Sequence, residues 1–425
     1  MKVMISNSHA RGEIVAPTSK SETHRALICA SLSTGKTLIK NITLNDDIKR
    51  TIKALIIFGV DIKKKDRNLI VSSSILTSPS FKKIKIDCGD SGTTARLVTG
   101  MSSLINCETT IDGNKRLRKR PMQELIKALR RLGVIITEKN KKGQLPLIVK
   151  GGQISGGSLD IDASLSSQFA SSILLISPFA NKETKITVKN VHSAPYIDLT
   201  LETMRQFGIQ IYSKKNLCII KANQQYKSQN IVLSGDYSSA SYFFAAAALT
   251  EGKVKVNNLE KKSPQGDKIF LEILKEMGCK VTIGRNSATV ENIGKLKGLS
   301  INMGDYPDLV PTLCILAGNT NSPISITNIG HLQEKESDRI NSVFINLIKM
   351  GLTVKKTADS IKISPGDLKG ASINAFSDHR IAMSFAVAGL KAKGTTQIDN
   401  FETVNKSYPQ FLKDFKDIGA QIQIS

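Results

Sequence analysis

The sequence predicts an α/β fold built from six repeated units in two sets of three. An apolar–x–x–apolar–Gly–x–x–apolar pattern occurs as LIIFGVDI, LRRLGVII, MRQFGIQI, LKEMGCKV, LIKMGLTV and FKDIGAQI. The glycines of this pattern are 68 to 75 residues apart, at Gly59, Gly133, Gly208, Gly278, Gly351 and Gly419. A helix that ends at a glycine in the left-handed conformation and leads into an alternating strand explains the pattern.

A second landmark precedes each glycine by 40 to 44 residues. It is a short polar segment followed by an Ala-, Ser- and Leu-rich apolar stretch, beginning near Ser19, Ser91, Ser166, Ser238, Pro307 and Ser377. Serine and aspartate are favoured helix N-caps, and helices that are apolar nearly all round belong in a core. Each unit is therefore predicted to hold a buried helix, several strands and an exposed amphipathic helix.

Six such units are too many to share a single hydrophobic core, so the chain is expected to divide into two domains after the third unit. The third unit ends near Lys221–Tyr226 and the fourth opens at Ser234–Gly235–Asp236. A cleft between two halves is a usual place for a ligand site.

The composition is that of an ordinary globular protein. The chain has 425 residues, of which 40% are hydrophobic and 23% are charged, which excludes disorder, collagen and coiled coil. No apolar run approaches the ~18 residues of a membrane span, and no signal peptide is visible, so a cytoplasmic location is expected. The six cysteines lie 19 or more residues apart without a CxxC pair, which predicts reduced, mostly buried thiols and no zinc site.

The net charge of +24 either indicates anionic binding partners or reflects a basic surface without a specific partner. The lysines are dispersed, tryptophan is absent and aromatic residues make up 5%, so nucleic-acid bases would find little to stack on. A generally Lys-rich surface is the favoured explanation, followed by small anionic substrates and then by nucleic acid.

Unusual charged residues lie where the buried helices are predicted to begin. Lys20 and Arg25 flank the first opening, Arg96 follows the second, and Asp378–His379–Arg380 opens the last. Helix amino ends bind phosphate and carboxylate readily, and a glycine such as Gly92 lets the backbone approach an anion closely. The segments LRKRPM, EKESDR and NKSYP would each pass as surface loops if taken alone. No metal-ligand spacing, GxGxxG or GxxxxGK[ST] motif is present.

Taken in order, these segments resemble the 5-enolpyruvylshikimate-3-phosphate synthase family from about residue 15 to 415. The resemblance is carried by SKSETHRA, GDSGTTAR, LRKRPM, SSQF, SAPYIDLT, GDYSSA, YPD, EKESDRI, DHRIAM and KSYP. It implies a two-domain inside-out α/β barrel with six βαβαββ units, three per domain. The implied domains are 1–18 with 235–425, and 19–234, with the active site in the interdomain cleft.

The resemblance also implies an activity. The enolpyruvyl (carboxyvinyl) group of phosphoenolpyruvate would pass to the 5-hydroxyl of shikimate 3-phosphate with release of phosphate, in the shikimate pathway to chorismate and aromatic amino acids. No cofactor or metal is implied, and the expected partners are these two small substrates, with a monomeric chain and no nucleic acid or membrane. The alternative is a UDP-N-acetylglucosamine enolpyruvyltransferase, whose loop cysteine is replaced here by Lys115.

Residue roles follow from the same resemblance. The implied catalytic residues are Lys20, Asp308 and Glu336. Shikimate 3-phosphate would contact Lys20, Ser21, Arg25, Ser166, Ser167, Gln168, Ser193, Tyr196, Asp308 and Lys335. Phosphoenolpyruvate would contact Lys20, Gly92, Arg120, Gln168, Arg339, Arg380 and Lys406.

Two positions depart from the family pattern. Asp90 stands where the family usually has asparagine, and His331 where some members have asparagine. A carboxylate at position 90 would repel phosphoenolpyruvate unless a neighbour neutralises it. Arg96 is the expected partner.

Overall fold

The computed structural model of the chain describes residues 1–73 and 83–424. The helices are α1 (Lys20–Ser31), α2 (Asp46–Ile57), α3 (Gly92–Ser102), α4 (Lys115–Arg118), α5 (Gln123–Arg131), α6 (Gln168–Ile176), α7 (Pro195–Gln206), α8 (Tyr237–Leu249), α9 (Ile269–Glu276), α10 (Val310–Ile315), α11 (Arg339–Lys349), α12 (His379–Lys391) and α13 (Phe411–Asp417). The strands are β1 (Val3–Ser6), β2 (Arg11–Val15), β3 (Ser33–Thr34), β4 (Lys36–Lys40), β5 (Asp61–Lys65), β6 (Asn68–Ser72), β7 (Lys83–Asp87), β8 (Glu108–Asp112), β9 (Ile135–Glu138), β10 (Leu147–Lys150), β11 (Gly157–Asp162), β12 (Thr184–Lys189), β13 (Ile211–Lys214), β14 (Leu217–Ile220), β15 (Tyr226–Lys227), β16 (Asn230–Val232), β17 (Lys253–Asn257), β18 (Lys280–Ile283), β19 (Ser287–Glu291), β20 (Ser300–Asn302), β21 (Ile324–Thr327), β22 (Val354–Lys356), β23 (Ser360–Ile363), β24 (Ser372–Ile373), β25 (Thr396–Ile398) and β26 (Gln421–Ile424).

The chain divides into two compact units. The terminal unit consists of Met1–Pro17 with Ser234–Ser425, and the central unit is Thr18–Leu233. Each unit has its own apolar core, and the two cores share no residue.

One sheet topology recurs throughout the described residues. The central unit has the four-stranded sheets β16-β4-β6-β5, β7-β8-β10-β9 and β11-β12-β14-β13, and the terminal unit has β2-β17-β19-β18, β20-β21-β23-β22 and β24-β25-β1-β26. In every one of them the first two strands pair in parallel and the remaining pairs are antiparallel. Six sheets with the same pattern of one parallel and two antiparallel pairs confirm the α/β fold of six repeats predicted from the sequence.

Three of these sheets take a strand from a distant part of the chain. Strand β2 pairs in parallel with β17, and β1 lies between β25 and β26. In the central unit, β16 pairs in parallel with β4 and completes the first sheet. The first repeat of the central unit and the first and last repeats of the terminal unit are therefore completed by strands about 190 to 420 residues away.

The repeated glycines end helices as predicted. Helices α2, α5, α7, α9, α11 and α13 each stop two residues before one of them, and a strand follows. All six have a positive φ, between 86° and 108°. A side chain would strain this left-handed backbone, which explains why glycine recurs at this point of every repeat.

The predicted core helices are α1, α3, α6, α8, α10 and α12. Five begin within two residues of the expected position, and α10 begins three residues after it, at Val310. The cap of α8 is Asp236, whose carboxylate accepts the Ser239 N–H at 2.7 Å, so an acidic cap replaced the expected serine. All six cysteines are free and buried. Within the described ranges, no helix combines the length and apolarity needed to cross a membrane.

Candidate functional site

Lys20 is the first residue of α1 and pairs with a buried carboxylate. Its Nζ lies 3.0 Å from Oδ2 of Asp47, in the first turn of α2, and the two side chains are 14% and 5% exposed. The helix begins here because Ser19 Oγ accepts the N–H of Glu22. Lys20 is thus fixed beside the amino ends of two helices, where an anion would be attracted.

Arg25, one turn further along α1, is fully buried among neutral oxygen atoms. Its Nε donates to the Thr200 hydroxyl at 2.7 Å, and its two Nη atoms reach the Ser21 and Tyr196 carbonyls at 2.9 Å and the Ser171 hydroxyl at 3.4 Å. Burial lowers its pKa to about 10, so the guanidinium is still charged at neutral pH. The hydrogen-bond partners of this buried cation are neutral, and Glu22 acts on it by charge. An anionic ligand would supply a counter-charge in direct contact.

The serines expected to bind phosphate lie at the openings of α6 and α7. Ser166 and Ser167 are buried directly before α6, and Ser166 Oγ accepts the N–H of Gln168 at 3.3 Å. Ser193 is buried with a φ of 61°, two residues before α7, and Tyr196 lies in the first turn of that helix. Helix openings carrying hydroxyls suit a phosphate group.

Gln168 connects α6 to α3. Its Nε2 donates to the Thr93 hydroxyl at 2.9 Å, and its Oε1 accepts from Arg96 Nη1 at 2.8 Å. Arg96 also lies over the Phe169 ring, at 5.3 Å from the centroid. Arg96 is therefore used to join two core helices.

Asp90 contacts an amide side chain. Its Oδ2 accepts from Asn114 Nδ2 at 2.9 Å. Neutralisation of Asp90 by Arg96 stays a prediction.

Gly92 and Arg120 are direct neighbours. A Cβ added at Gly92, the first residue of α3, would lie 2.4 Å from Arg120 Nη1. A side chain at position 92 would require the guanidinium to move away from this helix end. Two residues expected to bind the same substrate are thus in contact at one helix amino end.

Arg339 is the centre of a buried charge cluster in the terminal unit. Its Nη1 donates to Asp308 at 2.8 Å, its Nη2 to Glu336 at 2.8 Å and its Nε to Asp378 at 2.9 Å. Burial alone would lower the pKa of Arg339, but these three carboxylates raise it above the ordinary value. We call Asp308, Glu336, Arg339, Asp378 and Arg380 the Arg339 cluster.

Asp308 joins both arginines of the Arg339 cluster. Besides Arg339, it accepts from Arg380 Nη2 at 2.6 Å, and Arg380 Nη1 donates to the Ser238 hydroxyl at 2.8 Å. Burial alone would raise the pKa of Asp308, but the charges of Arg380, Arg339 and Lys335 hold it well below its usual range. Asp308 is therefore ionised at neutral pH.

Lys406 approaches the Arg339 cluster through Glu336. Its Nζ lies 3.5 Å from Glu336 Oε1, and its side chain is 12% exposed. Lys335, the residue before Glu336, acts on Asp308 by charge. In the terminal unit, the predicted site residues Asp308, Lys335, Glu336, Arg339, Arg380 and Lys406 thus belong to one region.

Asp267 is a buried acid beside this cluster that the sequence analysis did not single out. Burial and the negative charges of Asp308 and Asp236 outweigh the charge of Arg380 and a hydrogen bond with Ser238, and raise its pKa to about 7. In the unfolded chain the carboxyl loses its proton near pH ~4. Between these values the folded state binds more protons, so the stability contributed by Asp267 falls as pH rises and is lost above about 7.

We therefore expect Asp267→Asn to gain stability relative to the parent protein as pH rises from 5 to 8. Asparagine stays neutral, whereas the buried aspartate must ionise over this range. Thermal unfolding of both proteins at several pH values measures the difference, with Asp46→Asn, at an exposed position, as control. If the difference in unfolding temperature between parent and variant did not change with pH, the raised pKa of Asp267 would be contradicted.

Asp47 and Asp378 contact predicted site residues, Lys20 and Arg339, but received no role from sequence reasoning. Asp378 lies in the DHR motif, which was noted without a role for the aspartate, and it caps α12 by accepting the Arg380 N–H at 2.9 Å. Asp47 carries no motif, and its link to Lys20 is visible only in three dimensions. His331 is buried in a short 3₁₀ helix, Gly330–Glu334. Searching residues 1–73 and 83–424 finds no group of three or more His, Cys, Asp and Glu side chains arranged to hold a metal ion.

Comparison with known proteins gives full-length matches. The family model of EPSP synthase (3-phosphoshikimate 1-carboxyvinyltransferase) matches residues 6–415. The 3-phosphoshikimate 1-carboxyvinyltransferases of Methanosarcina acetivorans and Methanocaldococcus jannaschii are 39% and 37% identical, over 100% and 97% of this chain and 99% and 97% of theirs. The solved EPSP synthase of Acinetobacter baumannii is similar with a TM-score of 0.84 and 28% identity, over 100% of this chain and 99% of that one.

These matches cover all six repeats, and they place the chain in a class of transferases, the carboxyvinyltransferases. The TM-score confirms the predicted fold class at the level of the whole chain. The chain belongs to the EPSP synthase family.

Proposed function

We propose that this protein transfers the enolpyruvyl group of phosphoenolpyruvate to the 5-hydroxyl of shikimate 3-phosphate and releases phosphate. Family membership over the whole chain supports the reaction. The structural observation that carries the proposal is Arg25, a buried guanidinium whose partners are neutral oxygens. The carboxylate of shikimate 3-phosphate would provide the missing negative charge.

The rest of the shikimate 3-phosphate site is proposed from the residues around Arg25. The phosphate would bind the hydroxyls of Ser166, Ser167 and Ser193 at two helix openings, where N–H groups face an anion. The ring would lie against Tyr196. Ser21, Lys20, Gln168, Asp308 and Lys335 complete the proposed contacts with carboxylate, phosphate and hydroxyl groups.

Phosphoenolpyruvate would bind at the amino end of α3, where Gly92 leaves room for Arg120. The proposed contacts are Lys20, Gly92, Arg120, Gln168, Arg339, Arg380 and Lys406. Both units contribute to this list, so we propose 1–18 with 235–425 and 19–234 as two domains that act on the same pair of substrates. The cations offset the repulsion between two multiply charged anions.

The first step is an addition. The 5-hydroxyl oxygen attacks C2 of phosphoenolpyruvate, C3 takes up a proton, and a tetrahedral intermediate forms that still carries the phosphate. Asp308 would accept the hydroxyl proton, and Glu336 would transfer the proton at C3. Because two arginines keep Asp308 ionised, it is ready to accept a hydrogen bond, but it takes the proton only as the new C–O bond forms.

The second step is an elimination. C3 loses a proton to Glu336 while the bond between C2 and the phosphate oxygen breaks, which regenerates the carbon–carbon double bond. The departing phosphate accumulates negative charge, and Lys20 would stabilise it from the amino end of α1. Asp47 holds the ammonium group of Lys20 through a contact of 3.0 Å between Oδ2 and Nζ.

The proposed reaction is tested by measuring phosphate release from the purified protein with both substrates. We expect release only when shikimate 3-phosphate and phosphoenolpyruvate are both present, with one carboxyvinyl product formed per phosphate. Arg25→Gln is the matched control and should release phosphate only at much higher shikimate 3-phosphate concentration. Absence of release from the folded parent protein would overturn the proposal.

The same assay with UDP-N-acetylglucosamine tests the alternative acceptor. We expect no phosphate release, because Lys115 stands where those enzymes have the loop cysteine. Release with this acceptor, and none with shikimate 3-phosphate, would favour the alternative.

We further propose that the chain acts as a monomer in the cytoplasm and does not bind nucleic acid. The six free, buried cysteines suit a reducing compartment. Light scattering after size-exclusion chromatography should give the mass of one chain. A gel shift with duplex DNA at physiological salt should show no complex, and a salt-dependent complex would contradict this part of the proposal.

A further inference from the structure

A buried chain of hydrogen bonds links three helices of the central unit. His24 Nδ1, on α1, lies 2.8 Å from the Thr51 hydroxyl, on α2. That hydroxyl is 2.7 Å from the Thr94 hydroxyl, on α3, which donates to Ser91 Oγ at 2.7 Å. All four side chains are at most 1% exposed. None of the roles described above uses these residues.

The direction of the hydrogen bonds follows from counting hydrogens. The Thr94 hydroxyl has one hydrogen and donates it to Ser91 Oγ or to the Asp47 carbonyl, so in either case it must accept from Thr51. Thr51 has then used its hydrogen and must accept from His24. The imidazole proton is therefore on Nδ1. This agrees with the other nitrogen, Nε2, which is buried and has no hydrogen-bond partner among residues 1–73 and 83–424, because a bare acceptor costs less than an orphaned N–H.

The imidazole is neutral as well as oriented. Burial lowers the pKa of His24 to about 3, with Lys20 and Arg25 acting in the same direction against Asp47. The chain of hydrogen bonds therefore keeps one direction over the whole pH range in which the protein is expected to work.

This chain of hydrogen bonds ends at groups that the proposed function uses. Ser91 caps α3 by accepting the Thr94 N–H at 3.3 Å, and Gly92 is the next residue. The Thr94 hydroxyl also lies 3.3 Å from the Asp47 carbonyl oxygen, and the Asp47 carboxylate holds Lys20. The same contacts thus fix the amino end of α3 and the lysine relative to each other.

We propose that His24 and Thr51 are positioning residues for phosphoenolpyruvate, holding the amino end of α3 in register with Lys20. The inference rests on the proposed function, in which Gly92 and Lys20 contact that substrate. It assigns no substrate contact to His24 or Thr51 themselves. Arg25 has its own partners on α6 and α7, Ser171 and Thr200, so binding of shikimate 3-phosphate should depend much less on the chain.

The matched pair Thr51→Val and Thr51→Ser tests the proposal. Valine keeps the shape of threonine and removes the hydroxyl, whereas serine keeps the hydroxyl. We expect Thr51→Val to raise the KM for phosphoenolpyruvate about 3- to 10-fold and Thr51→Ser to stay within about twofold of the parent. The KM for shikimate 3-phosphate should remain within about twofold in both variants.

Thr99→Val is the control for loss of a buried hydroxyl. Thr99 is also on α3, but its hydroxyl donates only within the helix, to the Ala95 carbonyl at 2.6 Å. We expect its kinetic constants to match those of the parent. Equal effects of Thr51→Val and Thr51→Ser, or a parallel rise in both KM values, would overturn the proposal.

The state of His24 is tested without any turnover. In protein with ¹⁵N-labelled histidine, NMR correlation spectra report which ring nitrogen carries the proton. We expect the Nδ1-protonated neutral form for His24 from pH 5 to 8, and a proton on Nε2 would overturn the inference. If the parent protein lacks turnover, the proposed function fails. If it turns over and Thr51→Val has unchanged kinetics, this inference alone fails.

Discussion

Arg339→Met is expected to destabilise the protein by about 3–5 kcal/mol, the largest loss of stability among the substitutions considered. The arginine is buried and donates to Asp308, Glu336 and Asp378. Methionine fills similar volume but leaves three carboxylates close together, with much of their neutralising charge removed. Urea denaturation of the parent and variant, followed by circular dichroism, measures the change.

Arg25→Met is the matched control, because both arginines are 1% exposed. Loss of Arg25 removes hydrogen bonds to neutral oxygens and takes the counter-ion from no buried carboxylate among those partners. The loss of stability should therefore be smaller, about 1–3 kcal/mol. Adding Asp378→Asn to Arg339→Met should recover part of the stability, since asparagine still caps α12 without a charge. Equal losses in Arg25→Met and Arg339→Met would show that the carboxylates do not determine the effect.

Lys20→Met is expected to lower kcat about 10²- to 10³-fold, the largest kinetic effect among the substitutions considered. In the proposed mechanism its ammonium group stabilises charge that develops only as phosphate departs, so the loss should appear in kcat. Arg25→Gln should instead raise the KM for shikimate 3-phosphate about 10- to 100-fold, because it removes a charge-assisted contact made on binding. Steady-state kinetics with each substrate varied separates the two effects.

Lys20→Met also removes the partner of Asp47, so a control for folding is needed. Asp47→Asn keeps the ammonium group and removes only the ion pair. We expect this variant to retain most of kcat, and the double variant Lys20→Met/Asp47→Asn to be folded but as slow as Lys20→Met. A parent-like kcat in Lys20→Met would remove the lysine from the proposed mechanism.

The fold could be predicted because its signals are local and repeated. A glycine with positive φ two residues beyond a helix has the same effect wherever it occurs, and six copies of it revealed the period. The residues that close the terminal repeats could not be found in this way. Strands β1, β2 and β16 pair with strands that lie about 190 to 420 residues away along the chain, and short alternating strands carry little information about their neighbours.

Sequence motifs predicted which residues form the candidate site, and this stays a prediction; their contacts with one another are visible only in the structure. Arg339 and Arg380, both named for phosphoenolpyruvate, each donate to Asp308. Arg96, named as the partner of Asp90, donates to the amide oxygen of Gln168. An arginine has several acceptors nearby, and small differences in the distances between helices decide which one it contacts. Spacing along the chain does not encode these distances.

The position of β1 has a consequence for how the chain could be reconnected. Val3 lies opposite Ile424 in the antiparallel pairing of β1 with β26, so residues 3 and 424 are neighbours. A short glycine-rich linker could join them, and new ends could be opened between Leu233 and Ser234. In such a circular permutant the terminal unit would run without interruption from residue 234 through the linker to residue 17. Each unit could then complete all its sheets as a continuous stretch leaves the ribosome, whereas in the natural order β1 must wait until β25 and β26 have been synthesised.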